Sequence, residues 1–177
     1  MPLNKRSVIV ILFLLVLLAA CSSMKVAVNY DRQADFKAYR TFCMIPPRAD
    51  RPGPAGRPLF NREVLNEIKT ILEKKGLTEV SDRESADLAV HFYAMVQNRR
   101  DFVPPAYRVG RWGRVWAVRP GRVVRYKEGT LIIDMEDRAK KELVWEGEGK
   151  DILDRTDPSK NLIEAVGKVL ESFPPGG

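Results

Sequence analysis

The chain has 177 residues, with 30 Lys plus Arg against 23 Asp plus Glu, a formal charge of +7 and 45% hydrophobic residues. That is enough for one ordinary domain with a single sizeable core and too little for two comfortable ones. Its two cysteines, Cys21 and Cys43, exclude a multi-bridge disulfide scaffold, so stability has to come from burial.

At the N-terminus Lys5 and Arg6 precede an apolar run from Val8 to Ala20 that is short for crossing a bilayer. It ends Leu18-Ala19-Ala20-Cys21, with small residues directly before a cysteine, as a lipoprotein signal peptidase requires and a simple membrane anchor does not. The expectation is a cleaved lipoprotein signal peptide over 1–20 and a single lipid-anchored domain over 21–177, tied to the membrane through acyl chains at Cys21. Several chains on one residue make desorption negligible. Removing Lys5 and Arg6 leaves 28 basic and 23 acidic residues, a formal charge of +5. Ser22, where Asp would favour retention at the inner membrane, points to the outer membrane, facing the periplasm, in a cell with two membranes. Cys43 then has no intramolecular partner, and it reads as a small buried residue.

From Met24 to Tyr30 apolar and polar residues alternate, the period of a half-buried strand. Thr41–Ile45 predicts a second strand, stopped by Pro46 and Pro47. Between 46 and 58 five prolines and two glycines predict a surface loop. Val64, Leu65, Ile68, Ile71 and Leu72 then form the stripe of an amphipathic helix, with Asn61 as its expected N-cap, Phe60 and Leu65 as a hydrophobic staple, and Gly76 as its left-handed stop. Leu88, Val90, Phe92, Ala94 and Val96 mark the core face of a long strand whose opposite face carries His91, the one histidine in the chain. A histidine without nearby ligand partners reads as a sheet residue rather than a metal ligand.

Composition changes between Arg99 and Lys127, where nine basic residues meet one acid, Asp101, for a net +8; the rest of the chain from residue 21 is then 5 minus 8, or −3. Arg108, Arg111, Arg114, Arg119, Arg122 and Arg125 are interleaved with Trp112 and Trp116, a candidate surface for anionic lipid, acidic glycan or an envelope protein. Nucleic acid is not expected outside the cytoplasm. The simpler reading is a solvated β-hairpin, 114–119 against 122–127, turning at Pro120-Gly121.

Gly129–Asp137 and Glu142–Asp151 predict an antiparallel hairpin, with Leu131, Ile133 and Met135 on one face and Leu143 and Trp145 in line with Gly147 and Gly149. Its carboxylates, Asp134, Glu136, Asp137, Glu146 and Glu148, allow a second reading as the acid/base groups of a small hydrolase or glycan-processing enzyme. No nucleophile, metal-ligand set or phosphate-binding glycine loop accompanies them, and no cofactor motif is legible. The sequence therefore favours a non-enzymatic binding or scaffolding module. Asp157-Pro158 predicts the start of a second helix with a stripe at Leu162, Ile163, Val166, Val169, Leu170 and Phe173. Together these predict an α+β domain, a largely antiparallel sheet of five to seven strands with two amphipathic helices packed on one face.

Asn29-Tyr30-Asp31, Asp35-Phe36, Tyr39-Arg40-Thr41-Phe42, Ala86-Asp87-Leu88, Gly129 to Asp134 with Asp137, Leu143 to Gly147, and Phe173-Pro174-Pro175 follow one another in an order that resembles the bacterial envelope lipoproteins grouped as domain of unknown function 4136. The resemblance spans nearly the whole chain after Cys21. It departs after Thr41-Phe42, where the family usually carries an aromatic residue two positions on and Cys43-Met44 stands here. It implies a lipid-anchored envelope domain and supplies no activity, substrate or cofactor.

Overall fold

The computed structural model describes residues 24–47, 58–153 and 158–175. The leader, Cys21, Ser22, most of the proline-rich loop and Asp157 lie outside the described residues. In chain order the elements are β1 (Lys25–Tyr30), β2 (Thr41–Ile45), α1 (Pro58–Lys74), β3 (Thr78–Glu79), β4 (Leu88–Val103), β5 (Ala106–Val109), a 3-10 turn (Arg111–Gly113), β6 (Val115–Arg119), β7 (Arg122–Asp137), β8 (Glu142–Ile152) and α2 (Pro158–Glu171).

Among the described residues the strands form a six-stranded sheet in the order β1-β8-β7-β4-β2-β3 and a two-stranded sheet of β5 and β6. The pairs β1–β8, β8–β7 and β7–β4 are antiparallel, while β2 runs parallel to both β4 and β3. Parallel pairing there follows from α1, which lies in the chain between β2 and its two neighbours and supplies the long connection that parallel strands need. The α+β class and the mainly antiparallel sheet agree with the sequence.

Both helices contribute to one core. Val64, Ile68 and Leu72 of α1 and Leu162, Val166, Val169 and Leu170 of α2 are buried with Leu88, Val90, Phe92 and Ala94 of β4 and Leu131, Ile133 and Met135 of β7. The period-two pattern of β4 and the 3.6 period of the helices therefore meet on one side of the sheet, as predicted. Cys43 is free and buried, in a small second cluster with Ala86 and Ala89.

Local details correct the sequence reading in two places. α1 starts at Pro58, so Asn61 lies inside the helix rather than capping it. Proline suits the first helical position, where its missing N–H would have no helical partner. At the other end Gly76 is left-handed, at φ +92°, as expected, and the amides of Gly76 and Leu77 bond back to Glu73 and Leu72. In β8 the register slips between Met135 and Glu136: Met135 faces Trp145 and Glu136 faces Leu143. The extra residue, Val144, is buried beside Trp145, and Leu143 turns outward, 52% exposed.

Two carboxylates close the end of the sheet where β4 begins and β7 ends. Asp87 Oδ2 accepts from the Arg40 amide (2.8 Å), the Thr41 amide (2.9 Å) and the Thr41 hydroxyl (2.9 Å), and the Asp87 amide donates back to Thr41 Oγ1 (3.0 Å). Asp137, buried and level with Leu88 across the ladder, accepts from the Tyr39 hydroxyl (2.8 Å) and from the amides of Ala139 and Lys140. Burial and then Asp137 itself raise the Tyr39 pKa, so the phenol stays protonated and donating. Phe36 continues the latch, standing edge-on to Tyr30, Tyr39 and Phe173, and Phe173 in turn meets Trp145.

The backbone amide of Arg40, followed by the Thr41 donors, holds the Asp87 carboxyl below its ordinary range. A depressed pKa contributes stability that is present above the unfolded value and is lost as pH falls. Asp87→Ala is expected to lower stability by about 2–3 kcal/mol in urea unfolding at neutral pH. The penalty should shrink as the parent protein is acidified below about pH 4. A penalty that stayed constant from pH 7 to pH 3 would show that the charge contributes nothing to the latch.

Candidate functional site

β4 and β7 pair along sixteen residues each, and only their inner halves sit on the core. β8 ends at Ile152, opposite Glu128. From there β4 and β7 run on as a two-stranded ribbon for six further pairs, Asn98–Lys127 to Val103–Arg122, a length of about 20 Å. Prolines 104 and 105 in one strand stand level with Pro120-Gly121 in the other, and the ladder resumes as Ala106–Arg119, Tyr107–Ala117, Arg108–Trp116 and Val109–Val115.

This pairing overturns the hairpin predicted for 114–119 against 122–127. Pro120-Gly121 is an interruption, not the turn: proline has no amide to donate, and both strands carry proline at the same level, so the ladder breaks there and resumes beyond. The chain reverses instead at Gly110–Arg114, where the Gly110 amide donates to the Arg114 carbonyl (2.8 Å) and Trp112 and Gly113 are both left-handed, at φ +74° and +71°. A left-handed conformation is ordinary for glycine and strained by roughly 1–2 kcal/mol for a bulky residue such as Trp112.

The arm brings together every arginine and tryptophan singled out in the sequence. Arg108 lies on β5, Arg111 and Trp112 at the turn, Arg114 just after it, Trp116 and Arg119 on β6, and Arg122 and Arg125 on the β7 shank; all are exposed. Trp112, at the apex, is 96% exposed, while the Trp116 ring lies over Gly110, whose missing Cβ makes room for it. Periodicity marks Tyr107, Val115 and Val123 on this stretch, but the full apolar share of the surface is visible only in the structure. Phe102, Tyr107, Val109, Val115, Val118 and Val123 are exposed along the same arm. Their signal in the sequence is the alternation of apolar residues with arginine.

Acidic residues on the shank are already engaged. Asp101 accepts from the Tyr126 hydroxyl (2.9 Å), and Glu128 meets the Arg99 guanidinium (2.9 Å). The tip, residues 106–119, has four arginines and no acid. At the root of the shank, Asn98, Arg100, Arg125 and Lys127 border a cleft of about 530 Å³ floored by Ile152 and Leu153.

The carboxylates of the β7–β8 hairpin separate into different environments. Asp137 belongs to the latch, Glu136 meets Arg138 (3.3 Å) and Glu148 meets Lys150 (2.6 Å). Asp134 and Glu146 are left opposite each other in the ladder, on the face without helices, in one row with His91. Burial, followed by the charge of Glu146, pushes the Asp134 pKa up to about 6. Burial pushes the His91 pKa down, and it pushes the Cys43 thiol up, away from reactivity. Among the described residues no three His, Cys, Asp or Glu side chains converge as a metal site, and no helix is long and apolar enough to cross a membrane.

In comparisons of structure, a PDZ domain protein from Parabacteroides distasonis superposes with a TM-score of 0.62 at 14% identity, covering 99% of this chain and 41% of that one, so the present chain spans well under half of that protein. A DUF4136 family protein from Bacteroides thetaiotaomicron gives a TM-score of 0.52 at 20% identity, covering 86% of this chain and 95% of that one. At such identities the likeness is one of fold. No curated protein matches the chain. The family model described as domain of unknown function (DUF4136) matches residues 26–175, from within β1 to the segment after α2, and the chain therefore belongs to the DUF4136 family.

Proposed function

We propose that the chain is a lipid-anchored protein of the bacterial envelope that works as a binding or scaffolding module, with the basic, aromatic arm as its recognition element. In a cell with two membranes its place is the outer membrane, facing the periplasm. The observation that carries this is the concentration of exposed aromatic, aliphatic and arginine side chains on one projecting ribbon, while the core keeps its own apolar residues buried. Solvated ribbons need charge but not a wholly exposed tryptophan at the apex, and large apolar side chains left exposed together on one element mark interaction sites. Four arginines without an acid at the tip select an acidic partner.

Acylation is checked by the intact mass of protein taken from envelopes: a diacylglyceryl thioether at Cys21 is expected, and an unmodified thiol or a retained leader overturns the anchor. Recognition is checked with a photo-crosslinking residue placed at Trp116 or, as a control, at the exposed Arg62 of α1 in intact envelopes. Adducts should concentrate at position 116 and fall at least about fivefold when Arg111, Arg114, Arg119 and Arg122 become Ser, with greater loss at low salt than at high salt. Equal adduct yields at 116 and 62 would remove the arm from this role.

The second reading, a small hydrolase or glycan-processing enzyme, has one observation in its favour: a carboxyl raised to about 6, opposite a second carboxylate. The same fact has a structural consequence. A raised folded-state pKa means that the charged form opposes folding, so stability from this group increases as pH falls through about 6 towards the unfolded value. Asp134→Asn should therefore stabilise the protein at pH 7 and leave it unchanged near pH 4. A variant destabilised at pH 7 would show that the charged form is held by something useful, and the enzymatic reading would gain.

A further inference from the structure

We infer that the arm's partner is the anionic lipid surface of the same membrane that holds the chain's own acyl anchor. This rests on the lipid anchor and on the arm being the recognition element, and it adds the identity of what the arm touches.

The argument begins with the ladder. Lys25 lies opposite Lys150, Lys150 opposite Thr130, and Thr130 opposite Met95, so the start of β1 is level with the place where β4 and β7 leave the core. β1 and β8 are antiparallel, as are β8 and β7, so β1 and β7 run in the same direction. β1 therefore enters the sheet at the end from which the arm projects. The latch of Asp87 and Asp137 closes the opposite end.

Lengths then decide the outcome. Cys21 is four residues before Lys25, a reach of at most about 14 Å. From the level of Thr130 to Arg122 the shank spans eight residues, about 26 Å, before the β5–β6 tip is added. The tether is shorter than the arm that leaves the same end of the sheet. Acyl chains in the bilayer hold that end within reach of the headgroups and bring the arm to them.

The chemistry of the arm fits what it meets there. Tryptophan and tyrosine settle at the headgroup level of a bilayer, with an apolar ring inward and a polar edge in water. Trp112, Trp116 and Tyr107 are exposed on the tip with Arg108, Arg111 and Arg114; Trp116 pairs with Arg108 on one face of the ribbon, and Tyr107, Val109 and Val115 lie on the other. Arginine near an anionic surface gains on the order of fivefold in binding per residue. The cleft at the root of the shank, with Arg100 and Lys127 on its rim, offers further positive charge along the same ribbon. Two attachments, a lipid anchor and a basic aromatic contact, give stable and oriented membrane association.

The test uses the full acylated protein reconstituted into vesicles of phosphatidylcholine alone or with phosphatidylglycerol, with brominated acyl chains as quenchers of tryptophan emission. Trp145 is buried in the core and supplies a constant background. In vesicles containing phosphatidylglycerol, bromolipid should quench the emission strongly, and Trp112→Phe with Trp116→Phe should remove most of that quenching. The protein carrying Cys21→Ser, expressed without its leader, should still partition onto anionic vesicles. Replacing Arg108, Arg111, Arg114 and Arg119 with Ser should weaken that partition by at least about tenfold. Unchanged thermal unfolding verifies that each variant is folded. Quenching that is absent from anionic vesicles overturns the lipid partner. If crosslinks at position 116 to protein or glycan persist in envelopes at the same time, the arm remains the recognition element and only its partner changes. If those crosslinks are missing too, both fail.

Discussion

Asp87 and Asp137 stand almost side by side at one end of the sheet, and the rest of the molecule is arranged from that point. One carboxylate gathers the two amides and the hydroxyl that start β2; the other receives the Tyr39 phenol and the turn that sends β7 back as β8. Between them they tie the segment 31–40, the parallel pair β2–β4 and the antiparallel pair β7–β8 to the same few ångströms. Carboxylates that accept several amide and hydroxyl bonds in partly buried surroundings tolerate little displacement, because each lost bond leaves a group without a substitute.

A locked end makes a projecting end possible. An isolated two-stranded ribbon is marginal in water. Here its two strands are continuous with the central strands of the sheet, whose inner halves are buried under α1 and α2. The ribbon is held at its root by Phe92, Ala94, Leu131 and Ile133, and its outer half is left to carry side chains that the core has no use for.

The residues that carry the family resemblance lie on the platform. Tyr39, Thr41, Asp87, Asp137, Trp145 and Phe173 form the latch and its aromatic continuation, and none of the quoted motifs falls between 99 and 127. Those motifs therefore describe how the chain folds, while the basic charge is concentrated in the arm, +8 against −3 for the remainder after residue 20. An uneven charge distribution of this size has little bearing on the fold and a large bearing on what the molecule approaches.

Periodicity determined that Leu88–Val96 and Gly129–Asp137 are strands with one apolar face, that 64–72 and 162–170 are helices, and that His91 lies away from the core, and glycine's freedom at positive φ determined that Gly76 ends the first helix. Each of these is a local matter: side-chain direction repeats every 2 or 3.6 residues whatever lies nearby. Which strand lies beside which is not local. Alternation in 114–119 and 122–127 marked two strands correctly, and Pro120-Gly121 between them had the composition of a turn. Only the long-range register showed β6 paired with β5 and β7 with β4. The same holds for Val144, whose bulge turns Leu143 outward because Trp145 must meet Met135. It holds as well for Asp137, one of the candidate acid/base carboxylates of the hairpin in sequence, whose hydrogen-bond donor is the Tyr39 hydroxyl ninety-eight residues away. A strand's pattern states which face is buried; its partner is chosen by the packing of the whole sheet.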